Sequence, residues 1–231
     1  MFKSFLSLRK IVSLQLKREF EVMKSINRDL QQYVEENILP RYDGFDKAHR
    51  QDHVRMVISQ SLELAAHLDV DIDMVYAVAA YHDTGLCEGR EHHHEFSAKI
   101  VREDKNLRRW FTEEQITIMA DAAEDHRASS DHEPRSIYGR IVAEADRCID
   151  PMTIIKRTVQ FGLDHYPELD RESHFCRMRA HLEEKYGRSG YLKLWFADSP
   201  NARRLESLRD IMDNEDLLRQ LFDECFSLSD R

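Results

Sequence analysis

Glycine and proline are scarce in this chain, with seven and five among 231 residues. A sheet-rich fold with many tight turns needs more of both, so helices are favoured. Cysteine occurs only at Cys87, Cys148, Cys176 and Cys225, and no two of them form a CxxC pair. That scatter suggests neither a zinc knuckle nor a disulfide framework, and it fits reduced thiols and a cytoplasmic location. No uninterrupted apolar run is long enough for a secretory or membrane-spanning segment. An excess of positive charge is missing too: 34 Lys+Arg against 43 Asp+Glu give a net charge of −9, which argues against nucleic acid as a partner. No internal repeat, low-complexity tract or linker marks a second domain.

The charge is unevenly spread. Residues 1–24 carry six basic and two acidic side chains, which leaves −13 on the rest. The simplest reading of this segment is a helix packed on the body, and a membrane-surface or partner helix is the alternative. At 231 residues the chain can bury one sizeable core. We expect an all-α protein in which residues 1–40 form an N-terminal helical extension and 41–231 one helical domain.

Hydrophobic spacing sets out the helices. Val54, Val57, Ile58, Leu62 and Ala65 mark one face of a helix over about 47–68, with His49 and His53 four apart on it. Asp71 suits the N-cap of a second helix, which runs through "MVYAVAAYH" and ends before Gly85. A third is expected over about 91–102. Thr112 and Gln115 form a capping-box pattern ahead of a helix with Ile116, Met119 and Ala123 on its apolar stripe, where His126 also falls. Pro134 is placed in the first turn of a helix that carries Ile141, Val142, Ala145, Asp146 and Ile149 inward. Beyond Pro151, helical stretches are broken at Gly162, Pro167, Gly187, Gly190 and Pro200.

His53, His82, Asp83 and Asp146 all fall on, or at the end of, faces that otherwise read as buried. An ionised carboxylate in an apolar interior costs several kcal/mol or more unless it is paired or bound to metal. A divalent cation meets that requirement, and mixed imidazole and carboxylate donors suit manganese, iron, nickel, cobalt or zinc. Adjacent residues in mid-helix diverge by roughly 100°. His82 and Asp83 therefore converge only if the helix ends at them, which "TG" permits.

"DHVRMV", "AAYHDTGL" and "IVAEADR" together resemble the HD-domain superfamily of metal-dependent phosphohydrolases, defined by His, then His-Asp, then Asp. The resemblance covers about residues 45–150, with 151–231 as a C-terminal helical part of the same domain. It implies an all-helical fold, a transition metal or Mg²⁺ at His53, His82, Asp83 and Asp146, and hydrolysis of a nucleotide or another small phosphorylated metabolite. Two-metal branches of the superfamily place further histidines between the doublet and the last aspartate, which makes His94 and His126 candidates for a second ion. The Gly-Tyr-Pro signature of the cyclic-dinucleotide branch is absent.

Asp83 is the first choice for orienting or deprotonating the attacking water; Glu88 and His126 are further catalytic candidates, and Glu124 and Asp125 weaker ones. Arg127 and Arg147, with Arg90, are the candidate phosphate contacts. His49 is expected beside the site or at the surface, and His165, His174 and His181 in packing or solvent. Tyr186, Tyr191, Leu192, Leu194, Trp195 and Phe196 read first as core and second as cover for a pocket. Two other functions fit the same residues: an oxygen-activating two-iron enzyme, and a nucleotide-binding sensor without turnover. A homodimer is compatible with all three.

Overall fold

The computed structural model describes residues 25–46, 49–128, 130 and 132–229. The basic segment 1–24 lies outside them. The fold is all-α, with ten α-helices, three 3₁₀ turns and no strand among the described residues. No helix among them is long and apolar enough to cross a membrane. The chain divides into two compact units, the first ending at Asp146 and the second beginning at Arg147.

The first unit contains α1 (Arg28–Asn37), α2 (Gln51–Ala65), α3 (Ile72–Tyr81), α4 (His93–Glu103), α5 (Glu113–Glu124) and α6 (Ile137–Ala145). Helix α3 is its centre: every residue from Met74 to Tyr81 is buried. A helix that is apolar all round has to be enclosed on every side, and α1, α2, α4, α5 and α6 all pack against it. Described residues ahead of position 41 also contribute to this core: α1 supplies Leu30 and Val34, followed by the buried Ile38 and Leu39.

Caps fix where the helices start. Asp71 accepts from the backbone N–H groups of Asp73 (3.0 Å) and Met74 (3.3 Å). Thr112 and Gln115 form the reciprocal capping box at the head of α5. The helix expected from Pro134 instead begins after Ser136, whose hydroxyl accepts from the Gly139 N–H (3.2 Å). Pro134 and Arg135 are held back because Asp125 accepts both the Arg135 backbone N–H (2.7 Å) and its guanidinium (Nη2, 2.7 Å). Ile149 is not on that helix, which ends at Ala145; the chain then turns through Cys148 at φ 42°.

The second unit packs α7 (Pro151–His165), α8 (Arg171–Tyr186), α9 (Pro200–Asp213) and α10 (Glu215–Ser229) around Ile155, Val159, Phe175, Met178, Leu182 and Phe222. Gly162 does not break α7. A side chain there would meet the Arg177 guanidinium at 2.5 Å, so glycine makes room for an arginine that donates to the Thr158 carbonyl. Tyr186 and Leu192 are core, Tyr191 is exposed, and Leu194 with Leu205 lines a surface cavity of about 480 Å³. His174 is buried, His181 half-buried, and the exposed His165 stacks on Phe161 at 3.9 Å.

Candidate metal centre

The centre starts where α3 stops. Its last carbonyls are capped by side chains: Ala79 C=O takes His82 Nδ1 (2.8 Å), Ala80 C=O accepts from the Tyr42 hydroxyl (2.9 Å), and Tyr81 C=O from the Thr84 hydroxyl (2.7 Å). The chain then enters the 3₁₀ turn Thr84–Glu88. His82 and Asp83 thereby leave the helix at its final residue, and their side chains meet with His82 Nε2 at 3.3 Å from Asp83 Oδ2.

Three imidazoles share one design. His82, His93 and His126 each aim Nδ1 at the carbonyl three residues back, at 2.8, 2.8 and 2.6 Å. A carbonyl only accepts, so Nδ1 carries the proton and Nε2 presents a lone pair. All three Nε2 atoms lie close to the Asp83 carboxylate. His93 Nε2 and His126 Nε2 lie 3.1 Å apart, and each is close to Asp83 Oδ1, at 3.4 and 3.3 Å. Two lone pairs at that separation repel unless a proton or a cation lies between them.

The other oxygen of Asp83 serves a second group. Asp83 Oδ2 is 3.3 Å from His82 Nε2 and 3.6 Å from His53 Nε2; Asp146 Oδ1 is 3.1 Å from His53 Nε2 and 3.7 Å from His82 Nε2. The Nε2 atoms of His53 and His82 are buried with no hydrogen-bond partner, because these approaches lack hydrogen-bond alignment. Orphaned buried nitrogens among carboxylates form a donor set that a divalent cation satisfies. Two groups of this kind occur among the described residues: His53, His82 and Asp83, and Asp83, His93 and His126. Asp83 is common to both.

The electrostatics of the cluster follow from burial set against charge. Burial pushes the His53 imidazolium down, yet the carboxylates of Asp146 and Asp83 beside it bring its pKa up to about 9. Burial also opposes the charged form of His82, and the charge of Asp83 raises it. Asp83 and Asp146 are held well below the carboxylate range despite burial, Asp83 by His82 first and Asp146 by His53 first. His93 goes the other way, lowered to about 4 by burial and then by the charge of His126.

His94, expected in the second group, is outside both. Consecutive helical residues diverge, and His93 takes the inward position through its bond to the Arg90 carbonyl. His94 is instead lowered by burial and by the charge of Arg127. Asp125 and Glu124 are engaged by Arg135, at 2.7 and 3.0 Å from its Nη2. Glu88 is exposed on the 3₁₀ turn. Arg90 is exposed and approaches Asp46 at 3.8 Å, while Arg127 donates to the Glu91 carbonyl at 3.0 Å. His49 bonds Asp46 through Nδ1 (2.9 Å) and sets its ring edge-on to His53, 5.6 Å between centroids. Arg147 opens the second unit.

Sequence reasoning missed His93 and Tyr42. The inward residues of α4 are Ser97, Ala98 and Val101, so His93 and His94 each lie one turn before an inward residue, and spacing alone does not choose between them. Tyr42 sits in the 3₁₀ turn Leu39–Gly44, which carries no periodic signal.

An all-helical unit whose buried central helix ends in a shared carboxylate ringed by four imidazoles offers donor groups that could hold a metal ion. The HD domain family model matches residues 50–149, a match that supports membership of the HD-domain superfamily for that stretch. No curated protein and no solved structure matches it. HD domains bind divalent metals, and the family is generally one of hydrolases.

Proposed function

We propose that this chain is a metal-dependent phosphohydrolase acting on a nucleotide or another small phosphorylated metabolite. In this reading His53, His82, Asp83 and Asp146 hold one divalent ion, and Asp83, His93 and His126 hold a second. The observation that carries it is the division of labour at Asp83, whose Oδ2 faces His53 and His82 while Oδ1 faces His93 and His126. A divalent ion bound there lowers the pKa of coordinated water toward neutrality and polarises a phosphoryl oxygen.

The residues of the chain do the rest. The carbonyl bonds at Nδ1 hold His82, His93 and His126 in the tautomer that offers Nε2. Because both oxygens of Asp83 are turned to imidazoles, its part is to bridge and orient rather than to remove a proton from water. Arg127 directly follows His126, and the Arg90 carbonyl anchors His93, so both guanidiniums leave the backbone beside the second group and suit substrate phosphate.

The test is metal analysis of the purified protein with a phosphate-release screen over nucleotides and sugar phosphates in Mn²⁺, Mg²⁺, Co²⁺ and Ni²⁺. Activity that disappears in Asp83→Ala and His82→Ala supports the reading; activity that survives both removes the site assignment. The paired groups also favour a second reading, an oxygen-activating two-iron centre. Two tightly held irons with oxygen uptake and no phosphate release would select it.

A further inference from the structure

The His82–Asp83 turn leaves a donor and an acceptor to be satisfied where water does not reach. In an unbroken helix the Asp83 N–H would bond the Ala79 carbonyl, and the Ala80 carbonyl would take the Thr84 N–H. Here the Ala79 carbonyl is occupied by His82 Nδ1. The Tyr42 hydroxyl fills the gap from another segment: it donates to the Ala80 carbonyl at 2.9 Å and accepts from the Asp83 N–H at 3.3 Å. One oxygen thus serves two of the groups that the break leaves over.

That oxygen is hard to replace. Tyr42 is fully buried, so solvent cannot stand in for the hydroxyl. Its ring is held by Phe45 (centroids 5.3 Å apart) and lies 6.4 Å from the ring of His82. Without the hydroxyl, the simplest way to satisfy the Asp83 N–H is to continue the helix to the Ala79 carbonyl. That brings a second donor to the carbonyl that anchors His82 Nδ1 and returns the two side chains to the divergence of adjacent helical residues.

We propose that Tyr42 is a positioning residue for the metal centre, holding the His82–Asp83 turn in its metal-receptive form, so that the segment ahead of the family-matched residues 50–149 is part of the site. The proposal rests on the metal-centre reading above. It extends the site to a residue that touches neither ion nor substrate.

The experiment uses the full chain, stripped with chelator and titrated with Co²⁺, read by the ligand-field spectrum and by metal content. Tyr42→Phe removes only the hydroxyl. It is expected to melt cooperatively, to bind Co²⁺ about 10- to 100-fold more weakly, and to show an altered spectrum. Tyr76→Phe, at a second buried tyrosine on α3, controls for loss of a buried phenol and should bind as the wild type does. Wild-type affinity and spectrum in Tyr42→Phe overturn the proposal and leave the metal centre standing. Wild-type protein that takes up no Co²⁺ overturns both. Should Tyr42→Phe fail to fold, a structure of the Mn²⁺-loaded wild type decides. The hydroxyl still within hydrogen-bonding reach of Ala80 O and Asp83 N supports the role, and a hydroxyl turned away overturns it.

Discussion

Replacing Gly85 with alanine tests how α4 delivers His93 to the centre. Gly85 donates its N–H to Ser97 Oγ at 2.9 Å, and the first turn of α4 lies directly on it. An added Cβ would fall on the His93 carbonyl oxygen, 2.5 Å from Ser97 N and 2.8 Å from Phe96 Cβ. Two of those three atoms are backbone, so no rotamer change relieves the clash. The turn has to retreat by about 1 Å, with an overpacking cost of about 1–3 kcal/mol. Protein–metal distances tolerate about ±0.2 Å. His93 Nε2, now 3.1 Å from His126 Nε2, would leave the group by several times that margin. The expected result is a folded protein with a lower urea midpoint and one ion per chain in place of the two proposed for the wild type, counted by elemental analysis after gel filtration. Two retained ions with an unchanged midpoint would refute the claim that contact at Gly85 sets the second group.

Two further predictions concern stability. In chelated protein the pKa of His53 is raised to about 9. The stability it contributes is therefore complete below the ordinary imidazole pKa near ~6.5 and disappears as pH rises through about 9, by at most about 1.4 kcal/mol per pH unit. Denaturation midpoints in EDTA should fall between pH 7 and 9.5, and His53→Gln should flatten the slope; metal affinity should rise over the same interval, because the ion displaces that proton. Arg135→Ala takes the guanidinium, bonded at 2.7 Å, from the fully buried Asp125 carboxylate and leaves it only the backbone N–H of residue 135. A loss of about 3 kcal/mol in urea unfolding is expected, with metal stoichiometry unchanged; a loss under about 1 kcal/mol would mean that water or His132, 3.9 Å away, takes over.

The fold was legible wherever a local rule acts alone. The stripes of α2 and α5, the Asp71 cap and the Thr112/Gln115 box depend on residues within one turn of each other, and the structure bears each of them out. Pro134 and Gly162 misled for the opposite reason. Pro134 had the right chemistry for a helix start, but a carboxylate ten residues from Arg135 holds the chain out of the helix there. Gly162 had the chemistry of a break, yet the space it leaves is claimed by an arginine of the next helix.

The candidate site divides along the same line. The sequence could expose that His53, His82, Asp83 and Asp146 are too polar for their faces, because that conflict is between a residue and its own helix. It could not choose His93 over His94, because the choice is made by a bond to the Arg90 carbonyl, which exists only once the irregular turn before α4 has taken its path. Tyr42 was beyond reach for a related reason: the hydroxyl answers a break in a helix some forty residues away, and nothing near position 42 records that need. A centre of this kind is thus specified twice, by donor residues that clash with their own surroundings and by distant groups that repair the backbone around them. The second specification governs whether the donors converge, which is why Tyr42→Phe should weaken metal binding although every donor atom is retained.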